Sequence, residues 1–471
     1  MTTHSLTLRD DHLDALAGHL LRDDRREHAA YLLCNEVWIR HDPWSRQAHR
    51  TYLSSEVIPV PDDQVVESSP TLITWRTACF AKALRLAQQR GQVVAVVHNH
   101  PEGMTAFSEQ DDSNEPDLLR MALNRNGEGT TILSVVLTAD RQLAGRVWLH
   151  PSGPGCEPLR MIRVTGRKCT LHYPDRGRGI SPAALHRQGL AFGKALNDDL
   201  RALRIGVVGC GGTGSAVATL LARLGVGQLL LIDNDVVDVT NLNRLHGAGQ
   251  PDADAMRPKV AALAASITGL GLGVRVVTRE SWVGDPACRD ALRACDFIFG
   301  STDDHDGRLF LNRLAYYYLI PVIDMGLAVE VSRTDPPELK SLDGRVTVLA
   351  PHAVCLLCRD VVSQETAAGE AMRREDPDEY EKRKVEAYVV GEGDPSPAVV
   401  TFTTELACMA TNEMLQRLRG FRSEATDHRV RKFHLGLDRL PGHKPRPACR
   451  ICATDELWGA GDVEPFLGRV G

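Results

Sequence analysis

The sequence predicts an α/β protein of more than one domain, and three observations carry that expectation. A chain of 471 residues exceeds what a single hydrophobic core of ordinary size organises, so two or three domains are expected. Short apolar runs, Val93-Val-Ala-Val-Val97 and Thr131-Ile-Leu-Ser-Val-Val-Leu137, flank helical stretches such as Trp75 to Gln89, the pattern of buried strands separated by helices. Further on, Leu203-Arg-Ile-Gly-Val-Val-Gly209 reads as a strand that turns on glycine into a helix running to Gly225. A second strand from Gln228 to Asp233 completes a β-α-β unit.

Taken in order, Tyr31-Leu-Leu-Cys34 and the two apolar runs define a first α/β unit over residues 1–150. His150-Pro-Ser-Gly-Pro-Gly-Cys-Glu-Pro158 is dense in breakers and Asp175-Arg-Gly-Arg-Gly179 continues the irregular character, so 151–182 reads as a linker. A helical pattern from Ser181 then leads into the β-α-β unit of a second domain, 183–471. The charged stretch Glu370 to Glu386 fits a solvated helix or a mobile loop equally well.

Composition narrows the class. Apolar residues at 43% and charged residues at 25% are ordinary for a globular enzyme. A net charge of -6 gives no basic excess, which argues against a nucleic-acid or membrane-surface partner. The amino terminus has no basic start followed by an apolar centre, and no uninterrupted apolar span crosses a membrane, so a cytoplasmic location is expected. Four of the 12 cysteines form two C-x-x-C pairs, which favours metal binding over disulfides.

The first candidate site is His98-Asn-His100-Pro101, six further residues, Ser108, and Asp111. Alternate strand residues point the same way, so both imidazoles converge on one ion. With Asp111 they make three ligands and leave the fourth zinc position open for water, the arrangement of a catalytic site. The string resembles the motif of JAB/JAMM (MPN-type) metallopeptidases. That resemblance implies zinc on His98, His100 and Asp111, an oxyanion-stabilising hydroxyl at Ser108, and an upstream glutamate that takes a proton from the zinc-bound water. Glu27, opening the strand Glu27-His-Ala-Ala-Tyr-Leu-Leu-Cys34, is assigned to that role, with Glu36 as the alternative. Asn99 stands where ubiquitin-directed members carry Ser or Thr, and His-Asn-His-Pro is also similar to the RadC family, so the motif leaves the substrate open.

The second candidate site begins at Gly209-Cys-Gly-Gly-Thr-Gly214, where Gly209, Gly211, Gly212 and Gly214 let phosphates approach the backbone at a helix amino terminus. Alone this fits a dehydrogenase equally well. Asp233-Asn-Asp235, Asn241-Leu-Asn-Arg244, Lys259, and Ser301-Thr-Asp303-Asp304 ahead of Arg308 and Asn312 have no dehydrogenase role, and their order resembles the ThiF and ubiquitin-activating family. The resemblance implies a Rossmann-like adenylation domain that uses Mg-ATP. By that resemblance Asp233 would bind the ribose, with Asp235 beside it; Arg244 and Lys259 would neutralise the triphosphate with help from Asn241; and Asp303 would hold Mg²⁺. Arg187, in Arg187-Gln-Gly-Leu-Ala-Phe-Gly193, is similar to the family arginine that enters a neighbouring subunit's ATP site, which implies a homodimer. Cys355, Cys358, Cys449 and Cys452 are expected to hold a structural zinc.

Many relatives carry a nucleophilic cysteine after the first zinc pair, but this chain has no cysteine between Cys358 and Cys408, and Gly391-Glu-Gly-Asp-Pro-Ser-Pro-Ala398 stands at that place. Cys408 reads as a buried structural residue in an apolar helix, and Cys210 as a packing residue. The two resemblances together imply an enzyme that adenylates the carboxyl-terminal glycine of a small ubiquitin-like or sulfur-carrier protein. A zinc-dependent peptidase half would trim the precursor or remove the modifier, and a downstream conjugating enzyme is a further expected partner. Bacterial ubiquitin-like conjugation, in some cases tied to phage defence, is the expected setting. Sulfur-carrier activation and adenylation of a short peptide are the alternatives.

Overall fold

The computed structural model describes residues 2–101, 103–151, 155–174, 182–332, 334–385, 398–423 and 425–468. The chain divides into two compact units. The first comprises Met1–His41, Gln47–Arg178 and Trp458–Gly471, and the second Asp42–Arg46 and Gly179–Leu457.

This division departs from boundaries at 150 and 182. Strands Cys156–Pro158, Met161–Thr165 and Cys169–His172 occupy ground that breaker density assigns to a linker. Proline and glycine punctuate tight turns between short strands as they punctuate linkers, so the sequence signal is the same for both. Met161–Thr165 is buried throughout and pairs in parallel with Thr3–Arg9, a contact between distant residues that local composition does not reveal. The end of the chain also joins the first unit, where Gly459 O accepts a hydrogen bond from Asn35 Nδ2 at 2.8 Å. Residues 175–181 of the expected linker lie outside the described residues.

In the first unit the sheet order is Cys169–His172, Met161–Thr165, Thr3–Arg9, His49–Pro59, Ala29–Ile39, Val93–His100, Ile132–Thr138, Leu143–Trp148 and Cys156–Pro158. Helix Asp10–Leu20 packs on one face, where Leu16 and Leu20 meet Leu6, Leu32 and Val97. Helices Thr77–Arg90 and Glu109–Asn126 cover the other face through Phe80, Leu84 and Leu119. Strands covered on both faces have no polar side to show, which is why Val93–His100 and Ile132–Thr138 read as continuous apolar runs. The helix expected from Trp75 starts at Thr77, because Trp75 ends the hairpin strand Leu72–Trp75.

In the second unit the order is Arg275–Arg279, Gln228–Ile232, Arg204–Val208, Phe297–Gly300, Val322–Val331, Leu339–Leu349, His428–Lys432 and Leu437–Arg439. The first five strands run parallel and the last three add antiparallel. The chain passes from Arg204–Val208 through helix Gly212–Arg223 to Gln228–Ile232, a parallel crossover that leaves the glycine turn at the carboxyl ends of the strands. Of the two readings of the charged stretch, the helical one holds for its described part, in helices Gln364–Glu375 and Pro377–Val385. Among the described residues no helix is long and apolar enough to cross a membrane.

Candidate active sites

In the first unit, strand Val93–His100 is held in register between Ala29–Ile39 and Ile132–Thr138, and its last residues carry both histidines to the carboxyl end of this interior strand. His98 Nε2 and His100 Nε2 lie 3.1 Å apart, and Asp111 Oδ1 is 3.3 Å from His98 Nε2. Ligands about 2 Å from a tetrahedral zinc stand roughly 3.3 Å from one another, so these three atoms fit the ion. His100 Nδ1 lies 2.9 Å from Met104 O. A carbonyl only accepts, so Nδ1 carries the proton and Nε2 keeps its lone pair for a metal. Ser108 caps helix Glu109–Asn126: its Oγ accepts from Asp111 N at 3.2 Å, and Asp111 Oδ2 accepts from Ser108 N at 2.7 Å. That reciprocal cap fixes Asp111 and the serine together.

Glu27 precedes its strand, which begins at Ala29 rather than at residue 27, and Glu27 Oε1 lies 4.0 Å from His100 Nε2. Glu36 is exposed and pairs with Arg50 at 2.9 Å. The structure therefore brings Glu27 to the histidines and leaves Glu36 on the surface. Burial pushes the Glu27 carboxyl up to about 7, against the pull of the two imidazoles. Burial acts on Asp111 in the same sense, but hydrogen bonds from His100 and His98 outweigh it and hold that carboxyl well below the usual range. Two neighbouring carboxyls pushed apart in this way suit different tasks, a proton acceptor and a permanent anion. Thr71, Ile73, Trp75, Val96 and Leu118 line the same small cavity as Glu27, His98, Ser108 and Asp111.

Two features of this site escape sequence reading. Asn99 faces away from its neighbouring histidines, and its amide bridges His28 N and Arg26 O on either side of Glu27. Arg146 lies with its guanidinium carbon 3.9 Å from the Phe107 ring centroid and pairs with Asp112 at 2.5 Å and Glu115 at 2.8 Å, bracing the turn that carries Ser108 and Asp111. The position of Asn99 inside the motif was the only available signal for the first. Nothing local marks Arg146.

In the second unit the glycine turn is shaped by close approach. Gly209 has φ +82°, and a Cβ there would lie 2.8 Å from the Ser301 carbonyl. One at Gly214 would meet Gly209 O at 1.8 Å. These contacts press the loop Ser301–Asp304 onto the turn, and Ser301 Oγ donates to Gly209 O at 2.7 Å. Arg244 lies against the start of the helix, its Cγ 3.3 Å from a Cβ built at Gly212, while Gly211 has open space around it. Asp233 Oδ2 accepts from Cys210 N at 2.6 Å, and burial pushes its carboxyl up. Lys259 Nζ pairs with Asp235 at 2.7 Å, and Arg244 Nη1 donates to Thr240 O at 2.6 Å. Asn241 Oδ1 accepts from Asp238 N at 3.3 Å and closes the cap of the short turn ahead of Arg244. Asp303 is exposed on its loop.

The four cysteines of the two C-x-x-C pairs converge. Cys355 Sγ is 3.7 Å from Cys449 Sγ, and Cys452 Sγ lies 3.7 Å from Cys358 Sγ and 3.8 Å from Cys449 Sγ. Four sulfurs about 2.3 Å from one tetrahedral ion would stand roughly 3.8 Å apart, so the cluster has the dimensions of a closed zinc site. Hydrogen bonds from neighbouring thiols, Cys452 first, outweigh burial and hold the Cys355 thiol below its usual range.

Known proteins bear on both units. Residues 185–451 match the ThiF family over more than half of the chain. The chain belongs to the ThiF family. Residues 9–146 match the prokaryotic homologs of the JAB domain, so a JAB-like domain and a ThiF domain are fused here. The SAMP-activating enzyme E1 of Haloferax volcanii is 29% identical over 155 residues, covering 33% of this chain and 52% of that enzyme. The tRNA threonylcarbamoyladenosine dehydratase of Bacillus subtilis is 46% identical over 175 residues, covering 36% and 65%. The chain thus spans between half and two thirds of these two curated relatives. Among solved structures, E. coli MccB is similar over 60% of this chain and 74% of its own, with a TM-score of 0.45 and 15% identity.

In the ThiF domain, Arg187 lies exposed on helix His186–Phe192. Cys210 is fully buried, whereas Cys408 is half-buried rather than buried as expected, and burial raises its thiol, which disfavours the thiolate. Residues 391–397 of the segment Gly391-Glu-Gly-Asp-Pro-Ser-Pro-Ala398 lie outside the described residues.

Proposed function

We propose that the ThiF domain adenylates the carboxyl terminus of a small ubiquitin-like or sulfur-carrier protein. The JAB-like domain is a zinc peptidase that processes or removes the same partner. The observation that carries the first half is the seating of the Ser301–Asp304 loop on the glycine turn, with Arg244 against that helix's first residues and Lys259 at the start of its own helix. A substrate carboxylate oxygen attacks the α-phosphorus of ATP, the bond to the β-phosphate oxygen breaks, and pyrophosphate leaves. Arg244 and Lys259 offset the charge that this approach of anions concentrates, and Asp303 would hold a magnesium ion, which would supply further charge neutralisation at the phosphates. Lys259 would exchange Asp235 for phosphate oxygens when nucleotide enters. With no cysteine between Cys358 and Cys408, the acyl-adenylate passes directly to an external nucleophile.

In the peptidase half, His98, His100 and Asp111 would hold zinc, which supplies Lewis acidity toward a peptide carbonyl and toward water. Glu27 accepts the proton of the attacking water and returns it to the departing amine. Ser108 donates to the oxyanion. Bacterial ubiquitin-like conjugation, with a conjugating enzyme downstream and Arg187 completing the ATP site of a second subunit, is the setting this reading favours, phage defence included.

The deciding experiment is ATP–pyrophosphate exchange with a carrier ending in glycine, compared with Asp303→Ala. Carrier-dependent exchange lost in the variant supports the reading. Exchange supported only by a short peptide transfers the activity to that substrate class. The similarity to the Bacillus subtilis dehydratase makes modified tRNA the third arm, one that the net charge of -6 disfavours.

A further inference from the structure

We infer that Arg374 and Glu370, on helix Gln364–Glu375, are positioning residues for the Asp303 loop, and that Trp282 transmits their hold. The inference rests on the adenylation reading above, since it takes Asp303 to be the magnesium ligand. Asp303 itself is exposed, so its position is set by the residues on either side. On the amino-terminal side the anchors belong to the sheet and its next helix. Ser301 Oγ donates to Gly209 O at 2.7 Å, and Thr302 O accepts from Arg308 Nε at 3.0 Å and Nη2 at 2.7 Å.

On the carboxyl-terminal side most of the anchors come from farther along the chain. Asp304 Oδ2 accepts from Trp282 Nε1 at 3.0 Å and from Gly307 N at 2.8 Å. The Arg374 guanidinium carbon lies 3.4 Å from the Trp282 ring centroid, while Arg374 Nη2 donates to Asp306 Oδ2 at 2.6 Å. Glu370 Oε2 accepts from Asp306 N at 2.8 Å, and His305 Nδ1 accepts from Ser363 N at 3.1 Å. Residues 304, 305 and 306 are thus each held by a directional polar contact, and the helix or its cap supplies the partner at 305 and 306.

Stacking and ion pairing by one planar guanidinium fix an orientation as well as a distance, which a purely apolar contact would not do. Asp306 is buried, so its carboxylate depends on its charged partner, and the loop and the helix hold their position together. Magnesium demands near-ideal octahedral geometry, so a small displacement of Asp303 weakens binding of the metal–nucleotide complex more than binding of the nucleotide alone.

The test is calorimetric ATP binding to the full chain, with saturating Mg²⁺ and with EDTA, for wild type, Asp303→Ala, Trp282→Phe and Arg374→Gln. The expected result is that the Mg²⁺-dependent gain in affinity falls about 10–100-fold in Trp282→Phe and Arg374→Gln, the scale of losses on removing outer-shell support, with affinity in EDTA unchanged. Arg374→Lys, which keeps the charge without the plane, restores part of the gain. Trp282→Phe keeps the ring and the fold, and the pair Asp306→Asn with Arg374→Gln leaves no lone buried charge, so one informative variant survives if Arg374→Gln unfolds. Loss of the gain in Asp303→Ala but not in the Trp282 and Arg374 variants overturns the inference. Retention of the gain in Asp303→Ala refutes the magnesium assignment instead, and the inference falls with it.

Discussion

Asn99 Oδ1 accepts a hydrogen bond from the His28 amide at 2.6 Å, and the same side chain donates through Nδ2 to Arg26 O at 3.1 Å. One amide thus spans Glu27 as a peptide unit of a neighbouring strand would, continuing the ladder past its last paired residues, Ala29 and His98. Glu27 N in turn donates to Ser69 O at 2.9 Å, and Ser68 Oγ donates to Glu27 O at 2.8 Å. The candidate base is therefore tied to the strand that carries His98 and His100 on one side and to the hairpin on the other.

Replacing Asn99 by Leu removes both bridging bonds and leaves a buried donor unpaired beside Glu27. The expected cost is about 2–3 kcal/mol, read as a lower midpoint in denaturant unfolding. Asn99→Ser, too short to span both partners, should retain zinc while lowering turnover. Unchanged stability in Asn99→Leu would show that the bridge carries no weight.

The Glu27 carboxyl, raised to about 7 by burial, has a definite consequence for the metal-free protein. A carboxyl whose folded value exceeds its unfolded value near 4.5 stabilises the fold fully only below 4.5, and that contribution is lost as pH rises through 7. Glu27→Gln removes the penalty, so the variant should gain up to about 3 kcal/mol at pH 8 and little at pH 5. Melting of chelator-treated wild type and variant at the two pH values measures it. An equal shift at both would contradict the assignment.

Arg146 and Glu115 are both buried and pair at 2.8 Å, with Trp148 Nε1 also donating to Glu115. Arg146→Met leaves that carboxylate without its cation, and the expected loss is about 3–5 kcal/mol. Glu115→Gln in the same chain should recover part of it. Because Arg146 also braces the turn before Ser108, the single variant should bind zinc more weakly at the histidine site, checked by competition with a chromophoric chelator.

Removal of the cysteine-bound metal should act on the ThiF domain alone. Cys449→Ser is expected to lower the zinc content by one ion per chain and the melting temperature of that domain, since a closed four-sulfur site contributes folding energy directly. His98→Ala should lower zinc by one ion without that effect. Elemental analysis with calorimetry separates the two, and a Cys449→Ser protein of full zinc content would exclude the four-cysteine site.

The α/β class, the glycine turn and the grouping of His98, His100 and Asp111 were legible in the chain because each depends on short-range pattern. Alternation places His98 and His100 on one side, glycine spacing marks the turn, and Ser108 with Asp111 is a local cap. Tertiary structure alone decided what depends on residues distant in sequence. It brings Glu27 rather than Glu36 to the histidines, because antiparallel pairing sets His98 opposite Ala29, just beyond Glu27, and puts Val93, at the other end of the strand, toward Glu36. It also makes a sheet strand of Met161–Thr165, stretches Asn99 across Glu27, and joins Arg374 to Asp306 and Trp282. A solvated arginine and an anchoring one have the same neighbours along the chain, and only the folded path of the backbone sets them apart.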